Sequence, residues 1–189
     1  MKKKGLAMVL ALVLLAVCAV SGTLAWLTAK SDTVTNTFTT SDIKVELTET
    51  NETYKMVPGY DIHKDPKAKV LAGSEECFLF VKLDKSSNFD TYLEYAIADG
   101  WTQLTTDKDG KAISDLVYYR KVLTKDIGTA YSVLANDQVT VKGEVTKAMM
   151  DGLTTETLPK LTVTAYASQL YKSAGVEFTA AEAWANVTP

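Results

Sequence analysis

The sequence is poor in the residues that metal and nucleophile chemistry uses. It has one histidine and two cysteines in 189 residues. It contains no His-Glu-x-x-His, which excludes the usual zinc protease, and no glycine-rich phosphate loop. A Ser-His-Asp or Cys-His pair would have to use His63, and no local signature surrounds Cys77 or any serine. The sequence therefore offers no credible active site, and we expect no catalytic residue and no cofactor.

The surroundings of the histidine provide one weak metal candidate. Asp61, His63 and Asp65 alternate along the chain, so in a strand all three would point the same way. The stretch lies between Pro58-Gly59 and Pro66, and this context favours a solvated turn and strand edge over a metal site.

The N-terminus is typical of an export signal. Three lysines at 2–4 precede an unbroken apolar run of fifteen residues, 6–20. Thr23 and Ala25 are small residues at −3 and −1 of a cut between Ala25 and Trp26. We therefore predict a signal peptide over 1–25 and a secreted protein of the cell surface or extracellular matrix.

Other interpretations of this segment stay open. A cut after Ala19, with Val17 at −3, is the second choice. An uncleaved anchor is disfavoured because a bilayer-spanning helix needs about 20 apolar residues. A lipoprotein at Cys18 is disfavoured because Val17 stands where a small residue is expected. We expect membrane contact only through the uncleaved signal.

Removal of the signal makes the chain acidic. Residues 1–25 hold three of the 20 basic residues and no acid, so 26–189 has 17 basic and 23 acidic residues, a net charge near −6. This balance argues against binding nucleic acid or an anionic membrane surface. Cys77 is then the only cysteine and cannot form an intrachain disulfide. Its apolar surroundings predict a buried, inert thiol.

The remaining sequence has the pattern of short strands separated by turns. Alternating or continuous apolar runs predict strands over 42–47, 68–73, 77–83, 92–97, 100–105, 116–123, 138–145 and 161–167. Turns are predicted at Pro58-Gly59 and at the Asp-Gly pair within 106–111, where hairpin geometry fits better than a calcium loop. Helical signals are confined to 146–153 and to 179–186, where Thr179 and Glu182 make a capping box. The pattern favours an antiparallel β-sandwich with one or two short helices.

The predicted organisation is a signal peptide (1–25), an N-terminal extension (26–41) and a β-sandwich domain (42–189). The extension is rich in threonine, serine, asparagine and aspartate. It has reasonable strand propensity but too few apolar groups to fold alone.

The N-terminal stretch GTLAWLTAKSDTVTNTFTTSDIKVEL resembles the TasA/camelysin family. The matching elements are Gly22, Thr23, Ala25, Trp26, Asn36, Phe38 and Ile43-Lys44-Val45. Residues 56–83 resemble the family's Pro-Gly, Lys-Asp-Pro and Gly-Ser-x-x-Cys segment before its central strand. The stretches TVTAYASQ and FTAAEAWA resemble the closing strand and short helix of clostridial members.

The resemblance implies a jelly-roll-type sandwich exported with a signal peptide that the dedicated signal peptidase SipW cuts. It also implies self-association into fibres of the biofilm matrix of Gram-positive bacteria, in which the N-terminal strand of one subunit completes the sheet of the next. We expect Leu27, Val34 and Phe38 to anchor that strand on an open sheet edge. Alternatively, residues 26–41 are the first strand of their own sandwich, or an unstructured leader.

Two other classes of function remain. Camelysin relatives described as surface metalloendopeptidases suggest an enzyme, to which a single histidine gives little support. A monomeric adhesin or binding module could use the aromatic residues Trp101, Tyr118, Tyr119, Tyr171 and Trp184, although aromatics at strand spacing are more often core.

Overall fold

The computed structural model describes residues 42–51 and 54–187, and residues 40–189 form one compact unit. The described strands are β1 Val45–Thr48, β2 Asp61–His63, β3 Lys67–Val70, β4 Cys77–Lys85, β5 Leu93–Glu94, β6 Thr102–Thr106, β7 Ala112–Val122, β8 Ala130–Ser132, β9 Gln138–Val141, β10 Leu161–Gln169, β11 Tyr171–Ser173 and β12 Val176–Glu177. The described α-helices are α1 Phe89–Tyr92, α2 Lys147–Asp151 and α3 Ala180–Ala185. None of the helices in this part of the chain is long and apolar enough to cross a membrane.

The strands form antiparallel sheets. The largest sheet has the order β10-β4-β7-β6, and its long central strands pair over nine residues (β10 with β4) and seven residues (β4 with β7). Two three-stranded sheets have the orders β1-β3-β8 and β2-β9-β5, and β11 pairs with β12 as a separate ribbon.

The main core lies between the large sheet and the two smaller ones. Alternate residues of β4, among them Leu79 and Val81, face Val70 of β3 and Val141 of β9, and all four are fully buried. Burial of branched aliphatic side chains on facing sheets is the main stabilising contribution in such a sandwich.

The opposite face of the large sheet is also covered. Phe78 and Phe80 of β4 point to this second side, where Trp184 of α3 packs 5.2 Å from Phe80 between ring centroids. Because both faces of β4 are covered, its sequence is apolar at consecutive positions instead of alternating. The fold therefore has helix α3 on one side of the large sheet and the smaller sheets on the other.

The predicted class, an antiparallel all-β sandwich with short helices, is confirmed, while the jelly-roll connectivity stays a prediction. Seven of the described strands overlap strands predicted from the sequence, namely β1, β3, β4, β6, β7, β9 and β10. The capping box at Thr179 and Glu182 is present, and so are the turns at Pro58-Gly59 and Asp107–Gly110.

The prediction of one strand over 92–97 is wrong. Residues up to Tyr92 form α1, the strand is only two residues long, and Ile97 makes an isolated bridge to Leu134. The apolar residues Leu93, Tyr95 and Ile97 occupy alternate positions because all three contact the main core. Such a pattern does not require the segment to be hydrogen-bonded as one continuous strand.

Candidate functional site

The outer edge of β10 is the largest unpaired sheet edge in the described part of the chain. β10 is nine residues long, and it pairs with β4 on one side only. The other edge of the same sheet, β6, is five residues long and its register shifts between Leu104 and Thr106. Long, regular edges are templates for an added strand, whereas short or bulged edges are poor ones.

The hydrogen bonds at the two ends of β10 show which of its residues face outward. Leu170 donates from its N–H to the carbonyl of Glu76, and the carbonyl of Lys160 accepts from Ser86. In a regular antiparallel ladder, every second residue directs both backbone groups to the partner. Even-numbered residues of β10 thus bond to β4. The outward N–H and C=O groups belong to Leu161, Val163, Ala165, Ala167 and Gln169.

A cavity of about 550 Å³ opens beside the start of β10. Its lining is mainly apolar and comprises Tyr54, Met56, Ile62, Lys64, Phe89, Leu93, Val139, Thr155, Leu158, Pro159, Lys160, Leu161 and Thr162. Leu158 is 43% exposed although it is a large apolar residue. The cavity is large enough for one or two bulky side chains or a small ligand.

The charged and hydroxyl groups at one corner of this cavity already have partners. Lys64 Nζ lies 2.7 Å from Glu49 Oε1, and both side chains are mostly buried. The Tyr54 hydroxyl donates to the same carboxylate oxygen at 2.6 Å. The charge of Lys64 is therefore neutralised, and the rest of the lining is mainly apolar apart from Thr155, Lys160 and Thr162.

A second cavity, of about 540 Å³, lies at the other end of β10. It is lined by Asp42, Ile43, Ala167, Ser168, Gln169, Phe178, Asn186 and Val187. Asp42 and Ile43 are part of this lining, so the chain that leads into β1 lies beside the end of β10. The edge thus has an apolar cavity at its start and the chain that leads into β1 at its end.

The three weak metal candidates do not share one environment. Asp61 and His63 are exposed in β2, and Asp61 accepts a hydrogen bond from Thr140 Oγ1 at 2.6 Å. Asp65 lies beyond the strand and is only 8% exposed, with its carboxylate 3.8 Å from His63 Nε2. Among the described residues, no group of three or more histidine, cysteine, aspartate or glutamate side chains is arranged to hold a metal ion.

Asp65 instead fastens the chain that follows β1. Its two carboxylate oxygens accept from the Thr50 hydroxyl at 2.6 Å and from the Thr50 N–H at 3.0 Å. These two bonds, the hydroxyl bond first, hold the pKa of Asp65 below its ordinary value, and nearby His63 adds to the effect. The charged carboxylate is therefore part of the fold.

The prediction for Cys77 agrees with its position. It is fully buried in β4, and burial raises the pKa of its thiol to about 11. A thiol with such a pKa is almost entirely protonated at neutral pH, so it is a poor nucleophile.

The aromatic residues considered for a binding surface mostly belong to the cores. Trp184 is 7% exposed, Tyr119 packs against Phe78 and Phe80, and Tyr118 contacts the main core. Tyr171 is the exception at 41% exposed, and its hydroxyl donates to Glu76 at 3.1 Å.

The predicted cleavage residues Ala25 and Trp26 and the predicted anchors Leu27, Val34 and Phe38 lie outside the described residues. The predicted boundaries at 25 and 41 stay predictions for the same reason.

Sequence reasoning found strand 161–167 but not its edge position. The one available signal was the pair Thr162 and Thr164, because polar residues in a strand are typical of a sheet margin.

Comparisons of the chain with protein-family models, with curated proteins and with solved structures gave no match.

Proposed function

We propose that this chain is a secreted structural protein that assembles into fibres at the cell surface or in a biofilm matrix. In this account, residues 26–41 of one subunit add as a strand to the outer edge of β10 in the next. The observation that carries the proposal is the nine-residue outer edge of β10, to which none of the described strands is hydrogen-bonded.

The size of the N-terminal segment supports this pairing. Residues 26–41 are sixteen residues, and an extended chain of that length reaches about 50 Å at ~3.3 Å per residue. The outer edge of β10 is nine residues long, or about 30 Å by the same rule. About seven residues therefore remain to connect one subunit to the next.

The chemistry of the two surfaces is also complementary. Backbone hydrogen bonds to the five outward-facing residues of β10 would provide affinity, and side chains of the added strand would provide register. Val34 and Phe38 are four residues apart, so they share one face of a strand. Either side chain suits the apolar cavity at Met56, Ile62 and Leu161.

Strand donation of this kind can extend from subunit to subunit. The donating segment and the accepting edge are different surfaces of one molecule, so each subunit can give and receive, and a head-to-tail contact that does not close produces a filament. Cleavage after Ala25 by a signal peptidase of the SipW type then acts as the assembly switch, since it frees the end of the segment.

The test compares purified 26–189 with 42–189 by electron microscopy and size-exclusion chromatography. The truncated chain retains almost all of the compact unit over 40–189. The proposal predicts filaments from 26–189 and monomers from 42–189, with a synthetic 26–41 peptide binding to the truncated chain. Monomers from both chains at high concentration would contradict it.

A monomeric binding module is the second candidate, and the cavity of about 550 Å³ favours it. In that case 26–189 stays monomeric and an apolar fluorescent dye binds in the cavity. Replacement of the cavity-lining Ile62 by Trp would then abolish dye binding without unfolding the protein.

A further inference from the structure

Arg120 is the sole arginine of the chain, whose other basic residues are nineteen lysines. It lies in β7, which β4 separates from β10 in the large sheet. Its guanidinium carbon is 3.6 Å from the centre of the Tyr131 ring and 5.2 Å from the centre of the Trp101 ring. Two cation–π contacts of this kind restrict the orientation of the guanidinium group.

The groups around the guanidinium are themselves fixed. Trp101 donates from its indole Nε1 to the carbonyl of Ser132 at 2.9 Å, and Tyr131 belongs to β8. Gly100 has a φ of +84°, and a Cβ atom at that position would lie 2.8 Å from Arg120 Nη2. Absence of a side chain at Gly100 therefore makes room for the guanidinium group.

This guanidinium group has no acceptor in the described part of the chain. None of its N–H groups donates to a described residue, and no carboxylate there lies within ion-pair distance. Its nitrogens are not among the buried unpartnered atoms, so water reaches them. Partial burial lowers the pKa of Arg120 and outweighs the opposing effects of Tyr131 and of the nearby Asp126 carboxylate, so the cation has lost part of its hydration.

We propose that Arg120, held by Trp101 and Tyr131, is a binding site for a carboxylate group. A planar guanidinium offers two parallel N–H groups that match both oxygens of a carboxylate, which a lysine cannot do. The aromatic contacts have already fixed the side chain, so binding requires little further loss of side-chain freedom. The site is independent of strand addition at β10.

The carboxylate can come from an acidic sugar or from an acidic peptide. Both present the same planar oxyanion, so the guanidinium alone does not choose between them. Glucuronate and the α-amide of N-acetylglutamate are small probes with one carboxylate each, the first on a sugar and the second on an amino-acid side chain. The probe that binds more tightly identifies the source.

The sole arginine gives the test a single reporter, because only Arg120 contributes an arginine Nε–Hε signal to the ¹H–¹⁵N spectrum. Residues 26–189 are titrated with each probe and with chloride at constant ionic strength. We expect a saturable shift of this signal by at least one carboxylate, with binding about tenfold tighter than that of chloride. The proposal would be overturned if the signal does not shift, if its shift grows linearly with probe concentration, or if every anion shifts it equally. Arg120 would then only pack between Trp101 and Tyr131.

Two glycine variants provide a matched control. Gly100→Ala places a methyl group against Arg120, whereas Gly110→Ala has a similar φ of +79° and open space around it. Both variants incur the cost of a left-handed residue, and Gly100→Ala adds the close contact with Arg120, so Gly110→Ala controls for the backbone cost alone. Only Gly100→Ala is expected to weaken carboxylate binding. Equal binding by the two variants would contradict the site's geometry, and the wild-type titration decides the proposal even if a variant does not fold.

Discussion

At the scale of single residues, Asp65 illustrates how a side chain can suggest chemistry and instead hold the fold. Its alternation with Asp61 and His63 made it a weak metal candidate, but the strand ends at His63 and the chain turns Asp65 inward to Thr50. Sequence reasoning recognised the turn context from Pro58-Gly59 and Pro66. It could not find Thr50 as the partner, since that contact joins residues fifteen positions apart.

The hydrogen bonds of Asp65 make stability depend on pH. A carboxyl group whose folded-state pKa is lowered stabilises the fold above its unfolded pKa of about 4, and this contribution disappears as the pH falls through the folded value. Asp65→Asn should therefore lower the urea midpoint at pH 5–7, and its difference from the wild type should shrink below about pH 4. Urea unfolding followed by tryptophan fluorescence between pH 7 and pH 2.5 measures this.

Asp109→Asn is the control for that experiment, because Asp109 lies exposed at the tip of the β6–β7 hairpin. It should leave the urea midpoint nearly unchanged. A difference for Asp65→Asn that persists unaltered at pH 2.5 would show that lost packing, and not the charged carboxylate, causes the effect.

At the scale of elements, local sequence signals predicted α3 correctly but not its role. Thr179 accepts from the Glu182 N–H while Glu182 accepts from the Thr179 N–H, which is the predicted capping box. The sequence did not show that this six-residue helix covers the large sheet, because its contacts with Phe80 and Tyr166 span long stretches of chain. A helix this short is stable only through such packing.

Trp184→Ala tests whether α3 is part of the core. Trp184 packs against Phe80 and Tyr166 with ring centroids 5.2 and 5.3 Å away, so we expect a loss of about 3–5 kcal/mol in the free energy of unfolding. Denaturant titration measures this. The exposed Ala185→Lys on the same helix should change the free energy by less than about 0.5 kcal/mol. Similar values for the two variants would mean that α3 is peripheral.

The outward-facing backbone of β10 gives a second test at this scale. Ala165→Pro removes one outward N–H without removing a bond to β4, and proline is tolerated on a strand edge for that reason. We expect 26–189 with this change to keep a cooperative thermal transition and to lose filament formation by electron microscopy.

The matched variant is Thr105→Pro on the opposite edge strand, at the register shift of β6. It should form filaments as the wild type does. Loss of filaments in both variants would place the interaction elsewhere or indicate general damage to the sheet.

At the scale of the whole molecule, the sequence predicted the class but not the arrangement. Apolar alternation identifies a strand from its own residues, and the all-β class follows from many such strands with few helices. Sheet order depends on contacts between distant segments, such as Tyr171 with Glu76 or β2 with β9. For that reason, neither the outer edge of β10 nor the cavities beside it could be located from the sequence.

The most direct test of the account is to trap the added strand between two different copies. The donor is 26–189 with Val34→Cys. The acceptor is 42–189 with Ala165→Cys or Ala167→Cys, which has no N-terminal segment to donate. Unmodified Cys77 is buried and protonated, so it should not compete.

Mixing under mild oxidation should give a disulfide-linked donor–acceptor pair, measured by non-reducing gel and mass spectrometry. An acceptor with the cysteine at Thr105 of β6 should give none. If no mixed pair forms, and 26–189 carrying both cysteines instead closes an internal disulfide, the segment completes its own sheet and the account of strand donation between subunits is wrong.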